Sequence, residues 1–200
     1  MFTVGITTFK YRYEKYFKPL MKSFDKFPDM EIIVAINGEH KEKFDDNYRQ
    51  AILSDIADSQ NTYPIIFPKF RGLSKLWNSI ILTATEDYVL LLNDDVTINA
   101  SNFLQHVEHC IKIYQTSFKI NGSFSHVVLK RSEVAEVGYF LEKFLGIGEE
   151  DGVFQWLYEE KYEKPFLNLN IPGIINHVDM SHAPTNIKIG MCGKYSKFNR

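Results

Sequence analysis

Apolar residues recur along this chain with two periods, and the exchange between them predicts the architecture. Phe2 to Thr7 is a short β-rich run, and Tyr13, Tyr16, Phe17, Leu20, Phe24 and Phe27 then follow at a spacing that gathers them on one helix face. Glu31 to Ile36 reads as a second strand, halted by the turn pair Asn37-Gly38. A charged helical stretch covers about Glu39 to Ile56, and Tyr63 to Phe67 reads as a third strand bounded by Pro64 and Pro68. Gly72 opens a helix through Leu76, Ile80 and Thr83. Asp87 to Leu92 is the most hydrophobic strand, and its unbroken apolar run predicts burial on both faces. Phe103, Val107, Cys110, Ile111 and Tyr114 mark another helix. This alternation predicts an α/β fold whose central sheet is mostly parallel, with helices on both sides. Beyond Phe118 the pattern loosens to a strand near Ser123 to Leu129 and a helix from about Asp151 to Tyr162.

Composition narrows the setting. Two hundred residues with 44% hydrophobic content suffice for one well-buried core, and no repeat or linker divides the chain, so a single domain over 1–200 is expected. A formal net charge of −2 argues against a nucleic-acid binder, which would show a basic excess. Cys110 and Cys192 stand far apart without metal-ligand spacing, which suits a reducing compartment. The opening residues lack the pattern of a signal peptide, and no apolar run is long enough to span a membrane. A cytoplasmic protein is the expectation. The basic aromatic stretch from Lys194 to Arg200 leaves peripheral contact with the inner face of a membrane open, beside the plainer reading of a solvated terminus.

The chemistry centres on Asn93-Asp94-Asp95, which follows the most apolar strand. Parallel α/β sheets bind ligands at the carboxyl ends of their strands. Two adjacent carboxylates at that position require hydration, a partner or a bound cation. Mg²⁺ or Mn²⁺ takes one or two carboxylates together with substrate phosphates; the plain alternative is a solvated turn. A second acidic cluster, Glu149-Glu150-Asp151, lies between Gly148 and Gly152. It suits a helix start electrostatically, and a carboxylate there could also serve as a general base.

Taken in order, Val4-Gly5-Ile6-Thr7-Thr8-Phe9, Arg71 to Asn78, Asp87 to Val96, Arg131-Ser132, Val137 to Phe140 and Gly148 to Asp151 resemble the family 2 glycosyltransferases over about residues 2–180. The resemblance implies the GT-A fold, with a nucleotide-binding half over about 1–98 and an acceptor-binding half over about 99–200. It also implies inverting transfer of a sugar, most readily a hexose, from a nucleotide-diphosphate sugar such as a UDP-sugar to a glycan or other hydroxyl acceptor. Thr7, Thr8 and Phe9 would shape the nucleoside pocket. Asn93 and Asp94 would face the sugar-nucleotide, and Asp95 the Mn²⁺ or Mg²⁺. Asp151 matches the base that deprotonates the acceptor, with Glu150 as its helper, and His177, or else His182, falls where relatives place a metal-reaching histidine.

Gly72 and Asn78 belong to the same motif as Arg71 and Lys75, whose charges could meet the diphosphate or simply be solvated. Where many relatives end the second strand with two acids, this chain has Ile36-Asn37-Gly38. Asn37 could hydrogen-bond a base edge, or it could occupy a left-handed turn. The processive-synthase signature Gln-x-x-Arg-Trp is absent, which favours a single transfer per encounter. The rival from another class is a non-catalytic sugar-nucleotide or glycan-binding protein. A nucleotidyltransferase is disfavoured because Thr7 to Arg12 contains no glycine, and a phosphohydrolase because the histidines do not cluster.

Overall fold

A computed structural model describes residues 1–39, 42–143 and 150–179. The central strands are β1 (Thr3–Phe9), β2 (Ile32–Asn37), β3 (Thr62–Ile66) and β4 (Tyr88–Asn93), which pair in parallel in the order β3-β2-β1-β4. Every residue of β2 is buried, as are the interior residues of β4, which is what an apolar run covered on both faces predicts. A short strand, β5 (Val96–Ile98), follows β4. Beyond it come β6 (Phe118–Ile120), β7 (Ser123–Lys130), β8 (Leu167–Leu169) and β9 (Ile174–Asn176). β7 lies antiparallel between β4 and β6, and β8 extends the sheet parallel to β6, so the seven-stranded sheet is mostly parallel. β5 and β9 pair antiparallel as a separate ribbon.

The helices are α1 (Lys18–Lys22), α2 (Asp46–Ala57), α3 (Leu73–Thr83), α4 (Phe103–Tyr114), α5 (Arg131–Val137) and α6 (Glu150–Tyr162). They fall into two layers. Phe17, Leu20, Ile52, Ile56, Phe103 and Val107 build one core against Val4, Ile6, Val34 and Leu92. Leu76, Trp77, Ile80, Val134, Phe154 and Tyr158 build the other, against Ile33, Leu91 and Val127. α3 lies very close to the sheet at Gly5, where an added Cβ would stand 2.3 Å from Ile80 Cγ2. Among the described residues no helix is long and apolar enough to cross a membrane.

Two expected helices differ from the sequence reading, each for a local reason. The helix expected after β1 is a 3₁₀ turn (Lys10–Arg12), a π turn (Tyr13–Phe17) and then α1. Pro19 has no N–H to donate, so the regular ladder cannot run through it. The Lys18 N–H instead bonds the Tyr13 carbonyl, five residues back. The charged helix expected from about Glu39 starts at Asp46, because the Asp45 carboxylate caps the N–H groups of Asn47 and Tyr48 at 2.9 and 3.2 Å. This leaves Glu39 outside the helix and buried.

Candidate active site

Parallel pairing brings the ends of three strands side by side. Thr7 lies opposite Asn93 on β4, and Phe9 opposite Asn37 on β2. The chain turns at Asp94-Asp95, and side chains from the β1 exit reach both acids. Thr8 Oγ1 donates to Asp94 Oδ2 at 2.7 Å, and Arg12 Nη1 donates to Asp94 Oδ1 at 2.9 Å. The same nitrogen stands 3.1 Å from Asp95 Oδ1. Asp94 and Asp95 are only 1% and 3% exposed, so this guanidinium is what offsets their charge. Thr7 and Ser125 flank Asn93, at 3.4 and 3.3 Å.

The β5–β9 ribbon closes the opposite side. The Asp95 carbonyl accepts from the His177 N–H at 2.9 Å, and Asp95 Oδ2 accepts from the Asp179 N–H at 2.8 Å. Arg12 also donates through Nη2 to the Asp179 carbonyl. The Asp179 carboxylate takes hydrogen bonds from Tyr16 at 2.6 Å and Lys15 at 2.9 Å.

Electrostatics follow from this enclosure. Burial pushes the Asp94 carboxyl up to about 6, against the opposing pull of Arg12 and Thr8. Burial also opposes the charge on Arg12, but Asp94, Asp95 and Asp179 outweigh it and hold the guanidinium protonated. His126, on β7 opposite Leu92, is buried, and its Nδ1 has no hydrogen-bond partner among the described residues. Burial lowers its pKa despite the nearby Asp95, so the ring is neutral.

The remaining expected residues make contacts of their own. The Asn37 amide is committed at both ends, donating to the Arg71 carbonyl and accepting from the Arg71 N–H, each at 2.9 Å. Its backbone is extended strand, not a left-handed turn. Gly72 caps α3, and the Lys75 ammonium pairs with Glu142 at 3.2 Å. Buried Asn78 clamps Phe140 in the same two-ended way, at 2.8 and 3.0 Å. The exposed His177 ring bonds Thr97 Oγ1 through Nε2 at 2.8 Å and packs against Tyr16, with ring centroids 5.5 Å apart.

Glu150, Phe154 and Tyr158 form the buried face of α6, while Asp151 lies one position round, half-buried, accepting from the Gly152 N–H at 2.8 Å. Among the described residues no three His, Cys, Asp or Glu side chains form a metal-binding group. His182, the Gly146 to Glu149 part of the acidic cluster, and Lys194 to Arg200 lie outside the described residues.

Two residues join the site without having been expected there, Arg12 and Asp179, which enter through ion pairs that span the chain. Glu39 is buried just past the end of β2. The only sequence signal for Glu39 was an acid standing two residues beyond the strand.

No protein-family model matches the chain, and its sequence matches no curated protein. Solved structures do match it. S. aureus TarS superposes with a TM-score of 0.64 at 17% identity, over 84% of this chain and 35% of that one. A mannosyltransferase of Pyrobaculum calidifontis, in complex with GDP-Man and Mn²⁺, gives 0.64 at 13% identity over 85% of this chain and 54% of that one. Glucosyl-3-phosphoglycerate synthase of Mycobacterium tuberculosis, with Mn²⁺, UDP and phosphoglyceric acid, gives 0.64 at 13% identity over 94% and 74%. The chain has the GT-A fold. It spans about a third of TarS and about half of the mannosyltransferase.

Proposed function

We propose that this protein is a glycosyltransferase that moves a sugar from a nucleotide-diphosphate donor to a hydroxyl acceptor with inversion. One observation carries the reading. In a GT-A fold, Asp94 and Asp95 are buried at the carboxyl end of β4 and converge on a single positive charge beside the end of β1. Because one nitrogen lies about 3 Å from both carboxylates, the pair suits a cation, and Asp94 and Asp95 would hold Mn²⁺ or Mg²⁺ there. When bound, the ion offsets charge on the departing diphosphate. The structural relatives that carry Mn²⁺ with UDP or GDP-Man support this assignment.

The chain's own groups supply the rest. Thr7, Thr8 and Phe9 border the nucleoside. Glu39, just past β2, offers the acidic contact that Asn37 cannot, since the Asn37 amide is already used by Arg71. Arg71 is exposed and free to approach phosphate oxygens. Asp151, the more open of the two acids that begin α6, accepts the acceptor's proton as its oxygen attacks, and buried Glu150 anchors that turn. A single displacement needs only one such base and leaves the configuration inverted.

The test is a panel of UDP-, GDP- and dTDP-sugars with and without Mn²⁺, read by thermal shift and by transfer to an acceptor panel. One donor should raise the melting temperature in the presence of Mn²⁺, and Asp95→Asn should abolish the rise. Binding without transfer to any acceptor would favour the glycan- or nucleotide-binding protein instead. No shift with any donor would overturn the reading.

A further inference from the structure

Arg12 occupies the point on which the two carboxylates converge, and the same guanidinium ties down the segment that follows β9. Its Nη1 lies 2.9 Å from Asp94 and 3.1 Å from Asp95, and its Nη2 bonds the Asp179 carbonyl. Its face packs on Phe9, 5.3 Å from the ring centroid, and the side chain is 14% exposed. Asp179 is fixed in turn by Tyr16, Lys15 and its own N–H to Asp95. A guanidinium is always charged, and its planar fork matches carboxylate and phosphate groups alike.

We infer that Arg12 is an internal counter-cation that must leave the acid pair before a divalent ion can enter, and that it thereby couples ion binding to diphosphate binding. The inference rests on the proposed reading of Asp94 and Asp95 as the cation site. Two like charges cannot share one point about 3 Å from the same oxygens in a buried setting without severe repulsion. An ion arriving alone must therefore displace Arg12 and strand a partly buried charge. An ion arriving with a nucleoside diphosphate brings a new partner, because phosphate oxygens accept the same fork of N–H donors. The acid pair thus binds an ion weakly by itself and strongly with the diphosphate. Release of Arg12 also frees the Asp179 carbonyl, so the segment after β9 loses one of its ties as the donor loads.

Free Mn²⁺ counted by its electron paramagnetic resonance signal tests this on the full chain, alone and with UDP, GDP or dTDP. Arg12→Gln should bind Mn²⁺ alone on the order of tenfold more tightly than wild type. The enhancement that the diphosphate gives should shrink by a similar factor, because the two couplings are reciprocal. Arg12→Lys keeps a charge but cannot bridge both acids and the Asp179 carbonyl together. It should fall between the two, and it carries the test if Arg12→Gln does not fold. Mn²⁺ affinity that is unchanged or lower in both variants, with Asp95→Asn still abolishing binding, overturns the role of Arg12 and leaves the cation site standing. Absence of Mn²⁺ binding in wild type and variants, with or without a diphosphate, removes the cation site and this inference with it.

Discussion

At the scale of single residues, a buried carboxylate without a partner costs stability that a bound ligand can return. Glu39 is 6% exposed, its carboxylate accepts no hydrogen bond from another described residue, and burial raises its pKa against the pull of its own backbone N–H and of Lys10. A raised value means the fold favours the protonated form, so ionising Glu39 lowers stability as pH rises through its folded pKa. Glu39→Gln should stabilise the ligand-free protein at neutral pH by about 1 kcal/mol. The same change should weaken nucleotide binding about tenfold, as expected for loss of a charged hydrogen bond. Paired thermal melts and calorimetry check both halves, and a gain in stability with full affinity retained would exclude Glu39 from the nucleotide site. His177 gives a second test, because its ring now bonds Thr97. His177→Ala should lower Mn²⁺ affinity roughly tenfold if the ring turns to the ion, whereas Thr97→Ala, which only frees the ring, should not. Equal affinities in wild type and His177→Ala would leave the ring as a packing partner of Tyr16.

At the scale of elements, Glu133 is the post on which the α4–β6 turn, α5 and α6 are joined. It accepts hydrogen bonds from Thr116 Oγ1, the Ser117 N–H, Ser117 Oγ and Tyr158 Oη, at 2.6, 2.8, 2.6 and 3.2 Å, so it ties the α4–β6 turn and α5 to α6. Burial pushes its carboxyl up, but these donors outweigh it and hold the pKa below the ordinary value. A depressed folded pKa gives stability that is present above the unfolded value near 4.5 and lost as pH falls through the folded one. Glu133→Gln should therefore cost about 1–3 kcal/mol at pH 7, and the gap to wild type should narrow below about pH 4.5. Chemical denaturation at several pH values reads this directly, and a gap independent of pH would show that the charge is irrelevant. The long elements were legible in the sequence because β1, β2, β4, α3 and α4 have continuous apolar faces. β5, β6, β8 and β9 are three residues each, too short for a period to register. The π turn after β1 kept its apolar residues on one face, so its spacing looked like an ordinary helix until Pro19 set the break.

At the scale of the whole molecule, the sheet gathers residues from the start, middle and far end of the described chain into one centre. The sequence singled out Asp94-Asp95 because two acids closing an apolar run need hydration, a partner or a cation, and the fold buries them against Arg12. Arg12 and Asp179 were not legible there, because their meaning lies in an ion-pair network that only folding creates across more than 160 positions. The same separation sets the decisive experiment. The proposed cation site rests on β1 and β4, whereas the proposed base, Asp151, stands on α6, whose Phe154 and Tyr158 pack in the other helical layer. Donor binding and proton transfer should therefore separate cleanly by mutation. Asp151→Asn keeps the side-chain size and can still accept from the Gly152 N–H at the helix start, so the fold should be preserved. It removes the proton acceptor, so transfer at saturating donor should fall by roughly 10²-fold or more while nucleotide affinity stays within about twofold. Measured on one preparation, a wild-type transfer rate in Asp151→Asn would pass the role of base to Glu150. A parallel loss of affinity would show instead that α6 helps to build the donor pocket.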